Sequence, residues 1–196
     1  MYFLIPSNLD IQFKRSSAEG SMRKLEFILG LGMLLAQACI AQETPEERLV
    51  NLGIELKKPS DPIANYVNVV KVGNTLYISG KGPILSTGEI IQGKLGESIS
   101  LAEGQRASKI TAINLISVLK YELGKLSRVK KIIKLNGMVN STPEFTQHPK
   151  VINGASDLLV EVFGETVGKH ARVVAGMNSL PFNIPVEIDL IVEINE

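Results

Sequence analysis

The sequence predicts an α+β domain of two layers, one sheet with helices on a single face, and three observations carry that expectation. Residues 66–79, 128–138 and 171–194 are rich in β-branched and aliphatic side chains that alternate with polar ones, the period-two pattern of strands. Two long segments, 100–124 and 149–164, instead space their apolar residues as helices do. The order that results is strand, strand, helix, strand, helix, strand, strand. Two amphipathic helices cover only one face of a sheet of about five strands, so the other face is expected to pack against further copies of the chain as a closed homo-oligomer.

Composition narrows the function classes. The chain has 196 residues, 44% hydrophobic and 21% charged, enough for one domain with an appendage. Of its 21 basic and 20 acidic residues, four and three lie in the first 41, which leaves 17 of each in 42–196. A neutral domain is a poor general nucleic-acid binder, because that affinity rests on phosphate neutralisation by a basic surface. The single cysteine, Cys39, lies in the appendage, and the domain has only His148 and His170. Neither a thiolate nor a multi-histidine metal cage is therefore available to it.

The appendage reads as a targeting segment. From Met22 to Gln42 a basic start (Arg23, Lys24) precedes an apolar stretch, Phe27 to Ala36, and small residues, the layout of a signal peptide too short to span a membrane. Cleavage after Ala41, or alternatively Ala38, would release a domain at 42–196 with no membrane span, exported to a periplasm or secreted. Cys39 invites a lipoprotein reading, but Gln37-Ala38-Cys39 places a bulky polar residue where lipidation wants a small one. Residues 1–21 match no targeting or folding pattern and are read as a non-native leader ahead of a start at Met22.

The elements follow in order. Thr44 is an N-cap with Pro45 in the first turn and Gly53 beyond the end, giving a short helix that straps the domain. Tyr66–Val72 and Thr75–Ser79 flank Gly73-Asn74 as a hairpin ended by Gly80, Gly82 and Pro83. Gly82–Gly96 is a loop. Ser100 and Glu103 form a capping box for a helix with Ala112, Leu115, Ile116, Leu119 and Leu123 on its stripe, stopped by Gly124. Arg128–Met138 is a strand whose cations, Arg128, Lys130, Lys131 and Lys134, suit a solvated edge or a phosphate contact. Pro149 starts the second helix, with Val151, Ile152, Ala155, Leu158, Leu159 and Val162 as its stripe and Gly164 as its stop.

The C-terminal end is where chemistry is expected. Arg172, Val174 and Gly176 share one face of the run 171–177, and Glu187, Asp189 and Glu193 share one face of 186–194. Pairing the two runs as a hairpin about Leu180-Pro181 would put an arginine and a carboxylate on neighbouring strands. As mere surface charges such a pair contributes under ~1 kcal/mol. An arginine among Ala, Val and Gly in a buried strand nevertheless needs a partner.

In this setting Ala171-Arg172, Leu180-Pro181 and Val186-Glu-Ile-Asp189, together with Asn65-Tyr66, Ile78-Ser79-Gly80, Thr87-Gly88-Glu89 and Asn153-Gly154, resemble the RidA (YjgF-type) family of enamine/imine deaminases. The likeness spans about residues 50–195. It implies a chorismate-mutase-like fold, a homotrimer with ligand sites between subunits, and hydrolysis of reactive enamines or imines to 2-oxo acids and ammonia without a cofactor or metal. It further implies that Arg172 clamps the substrate carboxylate and Glu187 holds the attacking water, with Tyr66, Ser79, Gly80, Asn153 and Val174 lining the pocket. The residue types suit the work: guanidinium binds carboxylate through a planar two-bonded fork, and a carboxylate can aim a water at an imine carbon.

Each residue has a structural alternative. Glu187 could serve as the ion-pair partner of Arg172, Tyr66 as core, Ser79 as a turn residue, and Asn153 as a local backbone-bonding side chain. The histidines suit a loop and a strand edge. Departures from the better-known branch include His170 where proline stands, Ala64-Asn65 where Gly-Pro stands, Lys81 for glutamine, and a longer loop at Thr142–Lys150, which place the chain in a divergent branch. Alternative functions are an endoribonuclease, an activity also attributed to the family, and a non-catalytic carboxylate-binding or holdase-like protein.

Overall fold

Five strands, β1 (Val69–Val72), β2 (Thr75–Lys81), β3 (Val129–Asn140), β4 (Ala171–Met177) and β5 (Val186–Ile194), form one mixed sheet in the order β1-β2-β5-β3-β4. The structure is a computed structural model that describes residues 43–62 and 64–196. The expectations placed on 1–21, 22–41 and Cys39 lie outside the described residues. Helices α1 (Pro45–Asn51), α2 (Leu101–Leu123) and α3 (His148–Gly168) complete the domain. Among the described residues no helix is long and apolar enough to cross a membrane.

The predicted layers are present. Alternate residues of β5, Val186, Ile188, Leu190, Val192 and Ile194, are buried with Leu76 and Ile78 of β2 and Ile132, Leu135 and Val139 of β3. Against them pack Leu115, Ile116 and Leu119 of α2 and Val151, Ile152, Ala155, Leu158, Leu159 and Val162 of α3. The opposite face is bare and carries exposed apolar groups, Val70, Val72, Tyr77 and Val173. The two helices meet closely at Gly154, where an added Cβ would stand 2.1 Å from the Gln105 carbonyl oxygen.

Local signals formed as predicted where they are short-range. Ser100 accepts from the Glu103 amide while the Glu103 carboxylate accepts from the Ser100 amide, and Thr44 and Glu47 repeat that box on α1. Gly73-Asn74 closes the β1-β2 hairpin, with Gly73 at φ 56°. The strap α1 is tied down by Leu49 in the core and by Glu46, which accepts from Lys120 and the Leu126 amide.

Several boundaries differ. Tyr66 lies ahead of β1, which starts only at Val69, and β2 runs on through Ser79-Gly80 to Lys81 with a register shift against β5. The shift is a bulge that lets the strand pass its glycine. Helix α3 continues beyond Gly164, which sits at φ 78° as an interruption, for one more turn to Gly168. Glycine's freedom at positive φ accommodates a kink as readily as a stop.

Two corrections concern pairing. The last two strands are not a hairpin: β4 pairs parallel with β3, and β3 pairs antiparallel with β5, so β3 separates them. A 21-residue helix between β3 and β4 is long enough to carry the chain back for parallel pairing, and it takes β4 to the edge. For the same reason β3 is an interior strand and not a solvated edge. Two of its cations are engaged locally, Lys130 donating to Glu193 at 2.7 Å and Lys131 to the Thr166 carbonyl at 2.6 Å.

Candidate active site

The seven residues expected to form a site gather into two groups. On β4, Leu135 of β3 is the ladder partner of Arg172 and Gly137 that of Val174. Residues paired across a ladder share a face, so Arg172 and Val174 point to the side covered by α3. There the Arg172 Nη1 donates to Asn153 Oδ1 at 2.9 Å and to Ser156 Oγ at 3.0 Å. Asn153 and Ser156 are three apart and therefore on one helix face. Val174 packs partly buried against the core beside them.

The second group lies on the bare face. Met138 of β3 is the ladder partner of Glu187, two positions along the ladder from the Asn136–Asp189 pair and so on the same face. Gly80 lies directly against this carboxylate, since a Cβ there would fall 2.3 Å from Glu187 Oε1. Ser79 donates through its hydroxyl to the Val67 carbonyl at 2.6 Å and through its amide to the Asn68 carbonyl at 3.0 Å. Those two bonds hold the segment carrying the half-exposed Tyr66 alongside the bulge.

Arg172 and Glu187 thus occupy opposite faces and strands two ladders apart, about 10 Å across the sheet. The expected neighbouring placement is overturned within one chain, because β3 intervenes. Within one chain Glu187 is likewise not the ion-pair partner of Arg172. Among the described residues neither forms an ion pair, and Glu187 has no side-chain hydrogen bond.

The electrostatics of the two groups differ. Burial, with Asp189 adding like charge, raises the Glu187 carboxyl above the usual range. Asp189 is itself held by Asn136 Nδ2 at 2.8 Å. Arg172 has three donors left, on Nε and Nη2, after Asn153 and Ser156 have taken both hydrogens of Nη1. That remaining edge is a two-pronged fork of the right geometry for a carboxylate.

The sequence reading missed Ser156, although its spacing from Asn153 was visible, and the pairing of Asn68 Oδ1 with Lys81, which no pattern announced. Burial lowers the Lys81 ammonium. The lysine also lines a cleft of roughly 650 Å³ between residues 53–60, residues 84–88 and α2. None of the seven predicted residues borders that cleft, whose charged lining residues are Glu55, Lys57, Lys58 and Lys81.

Comparison with known proteins bears on the fold and the family. A curated relative, Protein TCP17 of Trypanosoma cruzi, is 46% identical over 147 residues, 75% of this chain and 92% of its own length. The 2-iminobutanoate/2-iminopropanoate deaminase of Dermatophagoides farinae is 31% identical over 134 residues, 68% of this chain and 88% of that protein. Among solved structures, a protein of unknown function from Agrobacterium tumefaciens has 47% identity and a TM-score of 0.72, covering 77% of this chain and 92% of its own. One from Shewanella oneidensis MR-1, named for endoribonuclease activity, has 38% identity and a TM-score of 0.74, covering 78% and 100%. Residues 46–194 match the family described as "YjgF/chorismate_mutase-like, putative endoribonuclease", and with that span and these relatives the chain belongs to the YjgF/RidA family.

Proposed function

We propose that this protein hydrolyses small 2-imino acids, or the enamines that tautomerise to them, to 2-oxo acids and ammonia, at sites completed between copies of the chain in a homotrimer. The observation that carries this reading is the separation of two incomplete half-sites. One presents an arginine fork oriented by Asn153 and Ser156 and the other a half-buried carboxyl whose proton affinity is raised by burial and by Asp189, and neither forms an ion pair among the described residues. The 31% identical deaminase supports the substrate class, and the apolar bare face supports burial against further copies.

The chemistry follows from the groups. Arg172 binds the substrate carboxylate through its Nε–Nη2 edge, which fixes the imine carbon in place. Glu187 of a second copy accepts a proton from water as the oxygen bonds to that carbon. The resulting carbinolamine receives that proton on nitrogen; as the C–N bond breaks with its electrons leaving on ammonia, the hydroxyl oxygen closes the carbonyl and gives its proton to Glu187, and the 2-oxo acid remains. A carboxyl whose proton affinity is raised toward neutrality suits both transfers. Arg172, Asn153 and Val174 come from one copy; Tyr66, Ser79, Gly80 and Glu187 come from the other.

The test is release of 2-oxobutanoate from freshly generated 2-iminobutanoate by the purified full chain and by Arg172→Ala. Loss of about 100-fold or more in the variant is expected, since the clamp sets the position of the reacting carbon. Equal rates for the two proteins, or no acceleration over buffer, would overturn the reading. RNA cleavage that survives in Arg172→Ala and is lost on replacing Lys130 and Lys131 would put endoribonuclease activity in its place.

A further inference from the structure

Arg172 is held by more than its two direct bonds, because Ser156 is itself held. The Ser156 hydroxyl lies 3.1 Å from His170 Nε2, and His170 Nδ1 lies 2.7 Å from the Gly168 carbonyl oxygen. A carbonyl can only accept, so Nδ1 carries the imidazole proton and Nε2 of the neutral ring is a lone pair. Ser156 therefore donates its hydroxyl hydrogen to Nε2 and turns its oxygen lone pairs toward Arg172. The chain of bonds runs in one direction: Arg172 to Ser156, Ser156 to His170, His170 to the end of α3.

We propose that Ser156 and His170 are positioning residues that aim the Arg172 fork, and that protonation of His170 releases it. This rests on the carboxylate-clamp reading of Arg172 and adds its control. With Nε2 protonated, the ring becomes a donor to the same serine oxygen that Arg172 uses and brings a second positive charge toward the guanidinium. The Ser156 hydrogen loses its acceptor, and one of the two anchors of Nη1 is weakened.

The surroundings of His170 favour the neutral, clamping state. Burial, acting against the Gly168 bond and joined by the charges of Arg172 on β4 and Lys131 on β3, lowers its pKa below the ordinary 6.5. Facing it from α3 are Ser156 and the Gly168 carbonyl, and the nearby Glu165 carboxylate is paired with Lys169. No carboxylate forms an ion pair with His170 among the described residues. The clamp is accordingly set at neutral pH and loosens as the pH falls below the imidazole's shifted value.

The experiment measures binding of 2-oxobutanoate, a carboxylate that stays ionised throughout, from pH 5 to 8, alongside KM and kcat for 2-iminobutanoate near neutrality. Four full-chain variants are compared with the parent: Ser156→Ala, His170→Phe, His170→Gln and Arg172→Ala. Loss of one hydrogen bond that orients a charged group predicts about tenfold weaker binding and a raised KM in Ser156→Ala and His170→Phe. Glutamine offers an oxygen acceptor in place of Nε2 without a titrating ring. His170→Gln should recover most of the affinity lost in His170→Phe and lack the acid-side weakening seen in the parent.

Parent-like binding in Ser156→Ala and His170→Phe, with Arg172→Ala inactive, would overturn the relay and leave the clamp standing. An acid-side weakening that persists in His170→Gln would assign the titration to another group and overturn the switch. Unchanged binding in Arg172→Ala would overturn the clamp itself and the relay with it.

Discussion

Glu187 is placed where a carboxylate is costly, half-buried on the bare face with Asp189 beside it and no hydrogen-bond donor among the described residues. The folded chain therefore holds this proton more tightly than the unfolded chain does. The stability it contributes is present below the ordinary carboxyl pKa of 4.5 and is lost as pH rises through the elevated value. Glu187→Gln is expected to raise Tm at pH 7 to 8 relative to the parent, to leave Tm near pH 4 unchanged, and to abolish imine hydrolysis. Thermal unfolding at the two pH values, with the turnover assay, checks all three. A second expectation concerns Gly80: in Gly80→Ala the new Cβ would meet the carboxylate oxygen, so activity should fall while the fold persists.

The elements show which kinds of information a sequence carries plainly. The Thr44 cap, the Ser100–Glu103 capping box, the two-residue hairpin and both helix stripes depend on residues within a few positions of each other, and they formed as read. Alternation also assigned Arg172 and Glu187 to the right sets along their own strands. It does not say which strand lies beside which. The neighbour of β4 was decided by the length of α3, which permits a parallel return, and the spacing of residues 149–164 contained that clue. The tight passage of α2 past α3 at Gly154 was invisible for a similar reason, because contact between two helices leaves no local pattern. Gly154→Ala is expected to destabilise the chain by about 1–3 kcal/mol as the helices are forced apart. Ser100→Ala should cost only about 1 kcal/mol through loss of its cap. Urea unfolding of both variants ranks the two effects.

For the whole molecule, the division of the site has a quantitative consequence. Arg172→Ala and Glu187→Ala should each be inactive alone, yet co-refolded or subunit-exchanged mixtures in equal amounts should regain about a quarter of parental activity if each site draws one half from each of two copies. Activity that stays at zero in demonstrably mixed oligomers would place both halves in a single copy by some rearrangement. The family and the two-layer domain were legible from one sequence because motif and fold are properties of one chain. The geometry of the complete site was not, because in the proposed assembly it belongs to a relation between chains.

The position of β4 adds one last consequence. Its seven residues, Ala171–Met177, form an outer sheet edge whose side chains are mostly small or apolar. An unguarded edge of this kind is a template for indiscriminate strand pairing. A chain prevented from assembling would then be endangered in its solubility as well as deprived of catalysis. Selection against precipitation would, in the proposed assembly, favour the same contact that brings the two half-sites together, so the catalytic arrangement could persist through periods in which its substrate was scarce.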